Sequence, residues 1–304
     1  MLADPKHADP DELARAFVEL TDDLAWARTF YPGSKTEAHL NAQAALVHRH
    51  LYRTRRGRRG WVRRFWGGEV PRAVGEAHSW LGLSLLLFVL AVAVGVLSAR
   101  QDPLFLRLVM GDAYVDMTEA NIAAGDPLAV YKQERSLPMF LGLARHNIGV
   151  AFNAFASGFL TPFATGLLLG YNGLMLGAFH TFFAGHGLLW RSLLGVWIHG
   201  TLEITAIVVA GGAGLHLGAA WLFPGTLPRL ESLTRASRRG VRILLGLVPV
   251  FVMAALLEGF VTRLTDMPLA LNLAIIGGSL AAVVWYFVLL PRRVLRGSAP
   301  DPDD

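Results

Sequence analysis

From Asn147 to Phe223 the chain is apolar almost without interruption, and so long a run leaves its backbone few options. In a bilayer no water is available for the peptide groups, so a segment of this kind must satisfy its own N–H and C=O groups as helix. Composition points the same way. Of 304 residues, 53% are hydrophobic and 17% charged, and the mean hydropathy is +0.42, too apolar for an ordinary soluble domain of this size. The expectation is an all-α polytopic membrane bundle of about six transmembrane helices. No cysteine is present, which excludes disulfides, thiolate metal sites and thiol nucleophiles.

Charge gives the sidedness. Arg53, Arg55, Arg56, Arg58, Arg59, Arg63, Arg64 and Arg72 precede the first long apolar stretch, Trp80 to Ala99, and such a cluster marks the cytoplasmic side. With Trp61, Phe65 and Trp66 among them, Arg58, Arg59, Arg63 and Arg64 read as a lipid-headgroup surface, and nucleic acid is set aside as a partner. Residues 1–50 lack an apolar core behind a basic start, so no cleaved signal peptide is expected. Residues 100–145 carry mixed charge and are placed outside, with Leu104–Met110 and Leu137–Leu143 lying along the membrane face. Glycines at 170–173 suggest a break, giving spans near 148–169, 174–184 and 193–222, the last kinked or split at 211–214. The arginine-rich 229–242 loop is then cytoplasmic, and two more spans, 243–261 and 269–290, return the chain inside. Both termini are expected in the cytoplasm.

Three regions follow from this. Residues 1–78 form a cytoplasmic helical hairpin and a basic juxtamembrane helix. Residues 79–291 are the membrane domain, with 100–145 as its outer interfacial segment, and 292–304 are a cytoplasmic tail. The hairpin rests on Phe17, Leu20, Leu24 and Ala27, and on Leu40, Ala44, Val47 and Leu51, at helical spacing around Pro32-Gly33.

Within the apolar sequence stand ionisable groups. His199 and Glu203, four residues apart, share one helix face and should point inward. With Asn147, Asn172 and Glu258 they form the expected intramembrane polar core. Three readings stand open: internal glue that braces glycine-broken helices, a transport path for ions or protons, and chemistry. A zinc-protease ligand set is missing, although His180 and His186 could complete a site in space, and no nucleophile-elbow sequence supports a serine triad. No catalysis, metal or cofactor is expected. Gly166, Gly170, Gly173, Gly177, Gly200, Gly211, Gly214, Gly218 and Gly259 serve close helix packing, within one bundle or across a homodimer, which is the expected oligomer.

His146-Asn147-Ile148-Gly149-Val150-Ala151-Phe152, Tyr171-Asn172-Gly173-Leu174-Met175-Leu176-Gly177, His199-Gly200-Thr201-Leu202-Glu203, Ala210-Gly211-Gly212-Ala213-Gly214-Leu215 and Leu257-Glu258-Gly259-Phe260-Val261-Thr262, in this order, resemble the stage II sporulation protein M family. The resemblance covers about 75–290, and Leu13 to Tyr52 is similar to the helical extension of non-sporulating members. His146 stands where the family pattern has a second asparagine, and Ile198 where it has proline. The resemblance implies a scaffold of the bacterial inner membrane, with cell-wall enzymes or AAA ATPases of the MoxR type as partners beside the membrane lipids. A transporter or channel for a small solute, ion or lipid is the alternative.

Overall fold

The computed structural model describes residues 10–51, 60–132, 135–264 and 267–297 and, among them, contains helices and no strand. Two compact units result, Met1–Trp61 and Val62–Asp304. Arg53, Arg55, Arg56, Arg58 and Arg59 lie outside the described residues, while Arg63 and Arg64 are exposed on the short helix α3 (Trp61–Arg64).

In the first unit, α1 (Pro10–Phe30) and α2 (Lys35–Leu51) make the expected hairpin. Gly33 turns the chain at φ 74°, where a side chain would be strained. Ser34 Oγ accepts the Glu37 N–H at 3.1 Å, and the Glu37 carboxylate reaches back to the Gly33 N–H at 2.8 Å, a reciprocal cap for the start of α2. Leu24, Ala27, Ala44 and Val47 fill the seam, whereas Trp26, Phe30 and Tyr31 stand in the open on α1 and its turn.

The second unit continues through a π turn (Phe65–Glu69) into α4 (Val70–Glu76), a segment placed with the hairpin in the sequence reading; Val70 and Val74 are buried in the bundle core. Among the described residues, five helices are long and apolar enough to cross a membrane. They are α5 (His78–Gln101), α9 (Pro162–Gly185), α10 (Leu189–Leu222), α11 (Arg229–Leu256) with its π extension Leu257–Val261, and α12 (Leu269–Val284) continued through the π turn Trp285–Leu289 into α13 (Leu290–Arg296). Outside this set, α6 (Pro103–Met110) and α7 (Asp112–Ala123) precede α8 (Ser136–Ala156).

Two of the glycine breaks expected within the membrane spans are absent. α9 runs unbroken through Gly170–Gly173 and α10 through Gly211–Gly214. The interruption falls at 157–161, where Thr161 caps the Ala164 N–H at 3.1 Å and Pro162 opens α9. Span 148–169 is therefore two pieces of different helices. Leu137–Leu143, expected as an interfacial piece, is the first part of α8. That helix runs antiparallel to α11, from Ser136 beside Arg263 at one end to Phe155 against Gly240 at the other.

α10 is the centre. Its 34 residues measure roughly 51 Å at 1.5 Å per residue, and its glycines admit neighbours on several sides: Gly211 faces Leu169 of α9, Gly212 faces Leu81 of α5, and Gly214 faces the Ala154 carbonyl of α8. Ser84 Oγ donates to the Val208 carbonyl at 2.7 Å, tying α5 to α10. α5 and α9 lie parallel, with Gly173 and Gly177 set against the α5 backbone at Phe88 and Val92.

The two ends differ in charge. At one, Glu76 accepts from Arg72 at 3.1 Å and Arg239 at 2.9 Å, Arg242 lies 3.8 Å from Glu69, and Gly75 meets Leu295 of α13. The start of this unit and its last described helix thus share that end. At the other, Arg107 pairs with Asp112 at 3.3 Å and Asp116 at 2.7 Å.

Candidate functional site

His199 and Glu203 line one cavity of about 290 Å³ together with Asn172, Tyr114 and Tyr131. The i, i+4 spacing on α10 puts both on the face expected. Glu258 arrives from the π turn Leu257–Val261, where the Thr262 N–H bonds the Leu257 carbonyl at 2.8 Å across the widened turn. Such a widening rotates the residues after it and recurs at functional sites. Here it brings both Glu258 and Thr262 to His199, with Nε2 3.7 Å from Glu258 Oε1 and Nδ1 3.1 Å from Thr262 Oγ1.

One proton assigns the tautomer, with the Thr262 hydrogen placed toward the Leu257 carbonyl. Thr262 Oγ1 donates its hydrogen to the Leu257 carbonyl at 3.2 Å, so toward His199 it accepts, and His199 Nδ1 carries the N–H. Nε2 then presents a lone pair toward Glu258. The same logic holds at His180, whose Nδ1 lies 3.1 Å from Ser192 Oγ while that hydroxyl donates to Leu189 at 2.8 Å. His186 is held by the Phe182 carbonyl at 2.9 Å. Neither joins His199. Among the described residues, His199, Glu203 and Glu258 are the group whose ligating atoms gather closely enough to hold a metal ion, all lying within 4.8 Å of one another.

The remaining core residues behave differently. Asn172 borders the cavity, and its amide donates to the Leu168 carbonyl of its own helix at 2.8 Å. Asn147 is buried on α8, away from the cavity lining. Of the packing glycines, Gly173, Gly177, Gly211, Gly214 and Gly259 each sit at an interhelical contact. Gly200 does not: a side chain there would meet only Val196 and Ile204 of its own helix, and the residue borders the cavity.

Four participants went unread in the sequence. Met110 of α6 and Tyr114 of α7 wall the cavity, so part of the segment between α5 and α8 is packed into the site. Tyr131 stacks edge-on to His199 with ring centroids 5.9 Å apart; burial, and behind it the Glu258 carboxyl, push its hydroxyl well above the ordinary tyrosine range. Thr262 carried a signal: Glu258 and Thr262 repeat the four-residue spacing of His199 and Glu203, two polar faces of matching period.

A family model described as Stage II sporulation protein M matches residues 84–263, which contain the whole polar core. The chain belongs to the stage II sporulation protein M family. It is accordingly a membrane protein, and the cavity lies inside the family's own domain. A second model, described as a domain of unknown function (DUF8413), matches residues 2–53 and so covers the described hairpin. No curated protein and no solved structure matches the chain.

Proposed function

We propose that this SpoIIM-family protein is a multi-pass scaffold of the bacterial inner membrane that recruits partner proteins to it, with both termini in the cytoplasm and no catalytic activity of its own. The observation that carries the reading is modularity. A helical hairpin with its own family match and its own capped, closed core is appended to a membrane bundle, and it displays the aromatic residues Trp26, Phe30 and Tyr31 rather than burying them. Exposed aromatic clusters of this kind suit protein contact.

Orientation is supported by the arginines. Arg63, Arg64, Arg72, Arg235, Arg238, Arg239, Arg242, Arg292, Arg293 and Arg296 fall at or toward the end of the bundle that holds α4 and α13, the pattern of a cytoplasmic face. With that face inside, α8 makes a sixth crossing beside the five apolar helices. Arg63 and Arg64 then meet lipid headgroups. A homodimer fits α9, where Gly166 and Gly170 repeat at four residues with open space over both. Cell-wall enzymes and AAA ATPases of the MoxR type are the partner classes that the family resemblance offers.

The test is purification of the tagged protein from native membranes in mild detergent, with mass spectrometry of proteins that co-elute at comparable abundance. A reproducible cell-wall enzyme or AAA ATPase, lost on deleting the hairpin, supports recruitment; recovery of the chain alone refutes it. The cavity beside His199 favours a second reading, transport of a small solute, ion or lipid. Flux in proteoliposomes abolished by Glu203→Gln in a normally folded protein would establish it.

A further inference from the structure

We propose that His199, Glu203 and Glu258 together bind one divalent transition-metal ion between α10 and the π turn that follows α11. The argument begins with hydrogen-bond supply. His199 spends its one proton on Thr262, leaving Nε2 as an acceptor, and the two carboxylates are acceptors when ionised. Three acceptors therefore converge with no protein donor among them. The 3.7 Å between Nε2 and Glu258 Oε1 is too long for a hydrogen bond, so a shared proton does not close the gap.

Charge supply gives the same answer. Among the described residues neither Glu203 nor Glu258 has an ion pair with lysine or arginine, and the cavity beside Glu203, apart from Asn172, Tyr114 and Tyr131, is walled by apolar side chains such as Phe88, Met175, Phe179 and Ile207. Burying two ionised carboxylates without a cationic partner is strongly unfavourable. One divalent cation neutralises both and accepts the imidazole lone pair.

The geometry is close to what such an ion needs. Nitrogen and oxygen ligands bonded at about 2.0–2.2 Å stand roughly 3.1–3.6 Å apart around the metal. The His199–Glu258 separation of 3.7 Å nearly meets that, and all three ligand atoms lie within 4.8 Å of one another, so an ion requires Glu203 to draw in by about 1 Å. The hydrogen bonds of His199 to Thr262 and of Thr262 to Leu257 fix the ring so that Nε2 faces the site, the outer-shell support that metal-bound histidines use. One imidazole and two carboxylates suit Zn²⁺, Mn²⁺ or Fe²⁺, whereas Cu⁺ wants sulfur and Ca²⁺ wants more oxygens. Three protein ligands leave coordination positions open toward the cavity, with room for water.

The inference stands apart from the scaffold reading, since a metal in a protein that recruits nothing leaves it intact. The test uses the full chain in detergent, stripped with a chelator and then titrated separately with Zn²⁺ and Mn²⁺. Bound metal is measured after equilibrium dialysis, and thermal unfolding is followed in parallel. The expected result is one ion per chain, with a raised melting temperature. Binding falls by more than a hundredfold in Glu258→Gln and His199→Gln, falls about 10- to 100-fold in Thr262→Val, and is unchanged in Glu76→Gln at the far end of the bundle. Stripped wild-type protein that takes up neither ion and melts unchanged overturns the proposal, and this arm decides even if the variants fail to fold. Stoichiometric binding that survives Glu258→Gln and His199→Gln in folded protein also overturns it, by placing the ion elsewhere.

Discussion

Gly214→Ala should destabilise the bundle, and Gly170→Ala should not, although both replace a glycine in the middle of an apolar helix. A methyl group at Gly214 would lie 2.5 Å from the Ala154 carbonyl oxygen, 2.9 Å from Thr165 Oγ1 and 3.0 Å from the Phe155 Cα. The nearest of these is roughly 0.9 Å inside the 3.4 Å at which contact becomes ordinary. That carbonyl cannot simply turn away, because it accepts the Thr165 hydroxyl at 3.0 Å. Relief therefore moves α8 or α9 away from α10. Overpacking of this kind costs about 1–3 kcal/mol, set against up to about 1 kcal/mol that alanine gains over glycine in a helix. At Gly170 nothing of the same chain lies within 4 Å, so in the protein held as a monomer by detergent the propensity gain acts alone. The two variants should differ by about 1–3 kcal/mol, with each kcal/mol moving the melting point by about 2–4 °C for a unit of this size. Thermal unfolding in detergent, read by tryptophan fluorescence, measures the difference. A Gly214→Ala protein that melts at or above Gly170→Ala would refute the close approach of α8 and α10.

Three further outcomes are expected. Ser84→Ala removes the buried bond to Val208 and should lower stability by about 0.6 kcal/mol, the mean for interhelical hydrogen bonds in lipid, measured in the same unfolding assay; an unchanged melting point would argue against the bond. At Glu76 burial alone pushes the carboxyl up, but hydrogen bonds from Arg72 and Arg239 outweigh it and hold the group below its ordinary 4.5. A depressed carboxylate lends stability above its unfolded value and loses it as pH falls through the folded one, so the melting gap between wild type and Glu76→Gln should be full above about pH 4.5 and close under more acidic conditions; a gap that widens on acidification contradicts the network. Gly33→Ala meets no neighbour but forces a positive φ, and should weaken the hairpin by about 1–2 kcal/mol, seen as faster amide hydrogen exchange in α1 and α2 of the full chain.

Much of this was legible in the residues. The apolar runs and their flanking arginines located the membrane helices, the Pro32-Gly33 turn located the hairpin, and the spacing of His199 and Glu203 located one wall of the cavity. The helix boundaries between 148 and 185 were misplaced because glycine was weighed as a breaker. In an apolar setting no water competes for the backbone, so Gly170 to Gly173 and Gly211 to Gly214 stay helical and spend their small size on contact instead. The true signal was Thr161-Pro162, a cap followed by a residue that cannot continue a helix but can begin one. Glu258 was named without its place, because nothing local links it to a histidine 59 positions earlier. The four-residue spacing of Glu258 and Thr262 is readable, but the π turn that aims them at His199 is not. Met110 and Tyr114 were missed for a related reason: a short helix shows which face is apolar, not which neighbour that face will cover.

The central position of α10 has a consequence for synthesis. Its glycine-lined sides are shaped for α5, α8 and α9, all of which leave the ribosome before it. The nascent chain thus reaches α10 with three of its walls already made, while the helix carrying Glu258, and α12 after it, are still to come. At about 5–20 residues per second, that wait lasts seconds. A chain stalled in that interval shows lipid a histidine and a glutamate without their partner, an unfinished face that distinguishes it from the completed protein.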